Sequence, residues 1–246
     1  MEVLGIDVGG SGIKGAPVNI EKGALLAPRY RLQTPSPAKP LAVAETINKI
    51  RKHFNWNDTL GVGFPGVVRK GVTLTAANIH EDWVGLNAAK FIKKVTGCKT
   101  CIVNDADAAG LAEIAFGAGK DRQGVVLLIT IGTGLGTAIF SDGHLVPNSE
   151  FGHLEIDGVD AEWMASDGAR KREKLSWKKW GYRFNHYLQT IEKLIWPDLI
   201  ILGGGISKKH EQFMKYINVQ AEVIPAQMLN EAGIIGAAIG ACKYGD

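Results

Sequence analysis

The sequence predicts an α/β protein of two similar lobes around a central cleft, and two observations carry that prediction. The first is a short apolar run, Val3, Leu4, Ile6 and Val8, which reads as a buried strand running straight into Gly9-Gly10-Ser11-Gly12 and then Lys14. The second is a repeat of the same device: Val125–Ile131 is another apolar strand, and it enters Gly132-Thr133-Gly134-Leu135-Gly136. Gly9 and Gly132 lie 123 residues apart, half of a 246-residue chain. A glycine turn after a strand lets backbone N–H groups approach an anion, so each loop reads as a phosphate cradle. A plain β-hairpin turn fits either loop locally, but it does not predict the pairing. Neither loop has Walker A spacing or the Gly-rich dinucleotide fingerprint.

Composition is that of an ordinary globular chain, 46% hydrophobic and 22% charged, long enough for two small cores. No apolar run approaches the ~20 residues needed to cross a bilayer, and Met1 leads into a strand without a basic leader, so a cytoplasmic protein with no membrane partner is expected. The net charge of +3 does not suggest a nucleic-acid binder, although Arg170 to Arg183 is locally basic. Of the 3 cysteines, Cys98 and Cys101 have half-site spacing with no second pair, and read as small residues at a strand edge.

Along the chain, Gly15 to Ile20 and Leu25 to Leu32 read as strands joined at Glu21-Lys22-Gly23, and Pro35, Pro37 and Pro40 stop the sheet. Val43, Ile47, Ile50 and Phe54 recur at helical spacing, predicting a helix over 40–54. Gly61 to Val68 is a strand broken at Pro65-Gly66, and Thr75 to Trp83 is a polar loop containing Asn78. A helix from Leu86 to Thr96 closed by Gly97 precedes a strand, Thr100 to Val103, that delivers Asn104-Asp105 to the start of an Ala-rich helix. Phe140 to His144 is a hairpin turn, after which Glu150, His153 and Glu155 crowd one short loop. The basic stretch Ala169 to Arg183, interleaved with Trp177 and Trp180, leads to a helix with apolar face Phe184, Tyr187, Leu188, Ile191, Leu194 and Ile195. Leu199 to Leu202 is a strand entering a third glycine turn, Gly203 to Gly205, with a helix expected from Ser207 to about Ile217. Residues 232 to 240 form a small-residue helix suited to close packing.

The motif Asp7-x-Gly9-Gly10-Ser11-Gly12-x-Lys14, taken with Thr130 to Gly136, resembles the sugar kinases of the ROK family within the actin-like ATPase (ribonuclease H-like) fold. The likeness extends over nearly the whole chain. It implies a discontinuous small lobe, 1–103 with a C-terminal helix of about 232–246, and a large lobe, 104–231. It also implies sugar contacts at Gly66, Asn78, Asn104, Asp105 and Glu162. The family pattern Gly-Glu-x-Gly-His is met at Glu150, Gly152 and His153, with Ser149 in place of the leading Gly. Most relatives follow the His with a zinc-binding cysteine cluster; here no cysteine lies between Cys101 and Cys242, so no zinc is expected.

The implied chemistry is phosphoryl transfer to a sugar. Asp105 is the expected general base for the 6-hydroxyl of glucose, and Asn104, Glu150, His153 and Glu162 hold the other hydroxyls. Phosphates fall to Gly9, Gly10, Ser11, Gly12, Lys14, Gly132, Thr133, Gly134 and Gly136, with Gly204 and Gly205 against the nucleoside or the distal phosphates. Asp7 joins the phosphate site by ordering Mg²⁺ through water. The basic stretch reads either as a solvated helix end or as a polyanion track built from Arg170, Lys171, Arg172, Lys178 and Lys179. It resembles the corresponding segment of the family's polyphosphate-using glucose kinases, so inorganic polyphosphate is the expected donor, with ATP as a second one. An ATP-only hexokinase is the rival reading. A repressor with a DNA-binding domain before Glu2 and a sugar-binding module without catalysis are the readings outside enzymes. A homodimer is expected.

Overall fold

The computed structural model describes residues 1–244, and the chain divides into two α/β units. The first comprises Met1–Phe116 and the chain from Glu231 on; the second is Gly117–Asn230. Residues 245 and 246, which the sequence reading gave to the last helix, lie outside the described residues.

In the first unit, β1 (Glu2–Val8) and β2 (Ile13–Asn19) form an antiparallel hairpin around the first glycine loop. The strand expected over residues 25 to 32 is two short pieces instead, β3 (Ala24–Leu25) and β4 (Tyr30–Leu32), each pairing separately with β2. Pro28 lies in the gap, and a proline has no N–H to give a ladder. Then come α1 (Pro40–His53), β5 (Leu60–Phe64), the small hairpin β6 (Val68–Arg69) and β7 (Val72–Thr73), α2 (Ala88–Thr96), β8 (Thr100–Asn104) and α3 (Asp105–Phe116). The sheet order is β3-β2-β1-β5-β8, with β1, β5 and β8 parallel.

The second unit begins with β9 (Val125–Ile131), β10 (Leu135–Ser141) and β11 (His144–Val146). It continues through β12 (Glu155–Ile156), β13 (Val159–Asp160), α4 (Ala161–Ala165), α5 (Asp167–Arg172), α6 (Trp177–Ile195), β14 (Leu199–Gly203) and β15 (Glu222–Pro225). Its main sheet runs β11-β10-β9-β14-β15, antiparallel up to β9 and parallel beyond it. Order and directions repeat those of the first unit, so the glycine-loop repeat seen in the sequence is a repeat of whole sheets.

The helix expected to follow the basic stretch takes in part of it, because α6 starts at Trp177 with Ser176 as cap. It buries Trp180, Phe184, Tyr187, Leu188 and Ile191, whereas Leu194 is 58% exposed. The helix expected from Ser207 is two short 3-10 segments, Ser207–Gln212 and Met214–Tyr216, interrupted at Lys209, whose φ of −117° and ψ of 20° no helix accommodates.

The last helix, α7 (Ala232–Tyr244), packs on the first unit and explains where that unit ends. In β1, Leu4, Ile6 and Val8 face a core shared with Val43, Ile47, Ile50 and Ile92 of α1 and α2. The alternate residues on the other face include Gly5 and, in β5, Gly61 and Gly63. A Cβ at Gly5 would fall 2.1 Å from the carbonyl oxygen of Ile234, and one at Gly61 2.0 Å from that of Ala237. The same closeness joins α7 to α3, where a Cβ at Gly236 would fall 1.5 Å from the carbonyl oxygen of Ala108. The first unit therefore runs through α3 to Phe116, past the boundary expected after Val103.

Candidate active site

The first glycine loop is closed on itself: Gly9 N donates to Gly12 O at 3.1 Å, and Gly12 N to Gly9 O at 3.3 Å. The N–H groups of Gly10 and Ser11 donate to no described residue. Two residues the sequence reading missed pin the loop from outside. Thr34 Oγ1 donates to Gly9 O at 2.5 Å, and Arg31 Nη2 to Ser11 O at 3.0 Å. Arg31 also lies over Gly12, where a Cβ would fall 2.6 Å from its Nε. Lys14 Nζ and Asp7 Oδ2 form a half-buried ion pair at 3.0 Å, and Asp7 lies against Gly233 in the first turn of α7.

Asp105 opens α3 directly behind β8. Its neighbour Asn104 is nearly buried and works as a cap: Oδ1 accepts from the N–H of Ala106 at 2.8 Å and of Asp107 at 3.0 Å. The amide of the same side chain donates to Gly66 O at 3.2 Å. Asn104 thus fixes Asp105 to the Pro65-Gly66 turn, a supporting role the sequence reading did not assign. Gly66 has no room for a side chain, since a Cβ would fall 2.4 Å from Thr75 O. Val67 N donates to Thr75 Oγ1 and Ala77 N to Pro65 O, so the turn carries the loop that holds Asn78. Asn78, in the left-handed region at φ 56°, lies 3.5 Å by its carbonyl oxygen from the position a Cβ at Gly10 would take. A continuous run of contacts therefore joins Asp105, Asn104, Gly66, Asn78 and the glycine loop within one unit. Trp83 is a core anchor, fully buried against Phe64 with its N–H on Ala38 O.

In the second unit the loop Gly132 to Gly136 is enclosed by three other predicted pieces. A Cβ at Gly152 would strike Leu135 O at 2.1 Å, and one at Gly134 would strike Glu162 Oε2 at 2.0 Å. Leu135 N donates to that same Glu162 oxygen at 3.0 Å. Gly168 N, at the head of α5, donates to Gly132 O at 3.0 Å. Ser149 exchanges hydrogen bonds with Thr137 of β10, which anchors the Glu150 loop on the sheet.

The titratable groups of this loop influence one another. His153 Nδ1 pairs with Asp160 Oδ2 at 3.0 Å, and Asp160 Oδ1 caps α4 through Glu162 N. That hydrogen bond holds the His153 pKa above the usual imidazole value against some desolvation, with Glu150 and Glu162 adding to it. Burial pushes Glu150 above the usual carboxylate range; nearby His153 opposes this and Glu162 reinforces it. Tyr187, buried in α6 with no partner for its hydroxyl among the described residues, has its pKa raised by burial and by the charges of Asp160 and Glu162. Among the described residues no three His, Cys, Asp or Glu side chains gather to hold a metal ion.

The third turn abuts the second loop: a Cβ at Gly204 would fall 2.5 Å from Ile131 O, while Gly205 is open. The basic stretch is less available than its composition suggests. Arg170 and Lys171 both bind Asp167, at 2.7 and 2.8 Å, and Arg172 and Arg183 both bind Glu173. Burial works against the Asp167 carboxylate, but the two cations outweigh it and keep its pKa low. Lys178 and Lys179 are exposed in the first turn of α6.

Known proteins resemble the chain over almost its full length. It is 48% identical over 237 residues to the polyphosphate glucokinase of Mycobacterium tuberculosis (strain ATCC 25618 / H37Rv), covering 96% of this chain and 89% of that protein. The crystal structure of the inorganic polyphosphate/ATP-glucomannokinase from Arthrobacter sp. strain KM matches with a TM-score of 0.95 and 43% identity, covering 99% of each chain. A ROK family glucokinase from Streptomyces griseus, solved in complex with glucose and AMPPNP, shares the fold at a TM-score of 0.81 and 23% identity, covering 97% of this chain and 98% of that one. The fold is accordingly the actin-like ATPase fold of these sugar kinases. The model of the ROK family matches residues 3–170, and the chain belongs to that family.

Proposed function

We propose that the chain is a kinase that transfers a phosphoryl group from inorganic polyphosphate to the 6-hydroxyl of glucose, giving glucose 6-phosphate, with ATP as a second donor. Likeness to a polyphosphate glucokinase along nearly the whole chain carries this reading. The local geometry is in keeping with it, since phosphoryl transfer asks a protein for positioning and charge stabilisation rather than covalent chemistry. Asp105 takes the proton of the attacking hydroxyl, and Asn104 holds Asp105 in place through the α3 cap and Gly66. Glu150, His153, Glu162 and Asn78 receive the other sugar hydroxyls. With its pKa raised, His153 keeps its charge to higher pH and offers a donor, while Glu162 carries its contact on into the second loop through Leu135 N. The glycine loops and Lys14 take the phosphates; of the basic stretch, Lys178 and Lys179 meet the rest of a long donor, with Arg170, Lys171 and Arg172 beside them held on their carboxylate partners.

Mg²⁺ belongs to the same proposal. Magnesium keeps several waters and uses one or two carboxylates together with substrate phosphates, so a lone half-buried Asp7 beside a glycine loop fits the ion without a protein cage. Bound there, the ion would neutralise charge on the transferring group. Cytoplasmic location and a homodimer complete the reading. The deciding experiment compares glucose phosphorylation by the purified protein with polyphosphate and with ATP. Turnover with ATP alone would replace this reading with that of an ATP-only hexokinase.

A further inference from the structure

Two elements leave the glycine turns of the second unit, and they converge on one indole. The 3-10 segment Ser207–Gln212 follows the third turn, anchored by Ser207 Oγ on Gly204 O, and α5 starts from the second loop through Gly168 N on Gly132 O. Arg170 of α5 lies over the Trp177 ring with Cζ 4.1 Å from its centre, and Lys209 Nζ lies 6.0 Å from the same centre. Phe213, stacked at 19°, and the fully buried Trp180, edge-on at 85°, pack against that ring at centroid distances of 6.1 and 6.0 Å. Trp177 therefore marks a fixed meeting point of cations next to both turns.

The charges around it fall into two groups. Along α5 the cations are spent on neighbours: Arg170 and Lys171 on Asp167, Arg172 on Glu173 and on the Trp163 carbonyl. Lys178, Lys179, Lys208 and Lys209 are exposed and have no carboxylate within 4.0 Å among the described residues. Two of these, Lys178 and Lys179, occupy the first turn of a 19-residue helix that has no acidic residue there. The helix dipole disfavours cations at that end, so the placement works against α6 itself and suits an external anion.

Resting on the polyphosphate reading above, we propose that the distal phosphates of a long inorganic polyphosphate leave the third glycine turn over Lys208 and Lys209, cross the Trp177 platform and end on Lys178 and Lys179. The paired cations of α5 form the wall of this path, not its floor. Charge-assisted contacts to successive phosphates release counterions, so the unpaired lysines set the salt dependence of long-chain binding.

The test is steady-state kinetics of Lys208→Gln/Lys209→Gln beside Lys171→Gln/Arg172→Gln, each with long-chain polyphosphate, tripolyphosphate and ATP. For the first variant, KM for the long chain should rise at least about tenfold and its log–log salt slope should flatten by about one unit. KM for tripolyphosphate and ATP should move less than about threefold, and kcat with ATP shows that the variant is folded. An unchanged long-chain KM, an equal rise for ATP, or an equal long-chain loss in the Lys171/Arg172 variant would overturn the path while leaving polyphosphate as donor. A wild-type protein that turns over with ATP but not with polyphosphate would remove the donor assignment and the path with it.

Discussion

In the proposed mechanism Asp105 supplies the chemistry and Asn104 its placement, and substitutions should separate the two. Asp105→Asn keeps a hydrogen-bonding group but cannot accept a proton, so kcat should fall by about 10²–10⁴-fold while glucose still binds. A variant retaining more than a tenth of wild-type kcat would remove Asp105 as the base. His153 makes a second residue-level test, because its raised pKa comes first from Asp160. Asp160→Asn should return the imidazole toward its ordinary value of about 6.5, read by NMR titration of the ring protons. The sign for stability follows from the upward shift: the His153–Asp160 pair contributes fully below about pH 6.5 and loses its contribution as pH rises through the folded pKa. With the His153 side chain 58% exposed, solvent screening keeps that contribution small. At this scale the sequence disclosed residues that sit inside motifs, such as Asp105, Glu150 and Glu162. Arg31, Thr34 and Asp160 escaped it because each acts on a partner brought close by folding, as Arg31 reaches Ser11 across the hairpin, whereas Asp167 binds Arg170 and Lys171 three and four residues along its own helix.

The elements owe their spacing to glycines that the apolar pattern does not explain. Gly5 and Gly61 bring the backbone of the first sheet directly against α7, and Gly63 faces α3. Gly61→Val should therefore cost on the order of 3 kcal/mol, measured as a loss of denaturant midpoint, because its Cβ would enter the Ala237 carbonyl. Unaltered stability would mean that α7 can lift away at no cost. Apart from the strand split at Pro28, the main strands and helices of the first 104 residues could be read from periodicity, since Val43, Ile47 and Ile50 recur as a helix must and β1 reads as a buried run. The stretch after Gly205 could not. Ser207, His210 and Phe213 keep a spacing of three that suits either kind of helix, and nothing in that pattern marks the break at Lys209, whose ammonium lies 6.0 Å from the centre of the Trp177 ring.

As a whole, the molecule is one sheet plan used twice, carrying different helices and loops. The first unit provides a loop with Asp7 and Lys14; the second provides one ringed by Gly152, Glu162 and Gly168. The repeat was legible because a glycine turn after an apolar strand leaves a strong local mark at both places. The ion pairs that occupy half of the basic stretch left none. Chelation should abolish glucose phosphorylation, and Mg²⁺ should restore it. Elemental analysis should find no stoichiometric zinc, and one zinc per chain would reverse the expectation drawn from the missing cysteines. The discontinuity of the first unit also bears on its birth at the ribosome. Its opening strand is made before any of the second unit, yet the helix that covers the glycine face of that strand is made after all of it. Domains made from one continuous segment fold in the order of synthesis. Here the half begun first is completed last, and β1 and β5 wait with one side open while residues 117 to 230 emerge and fold.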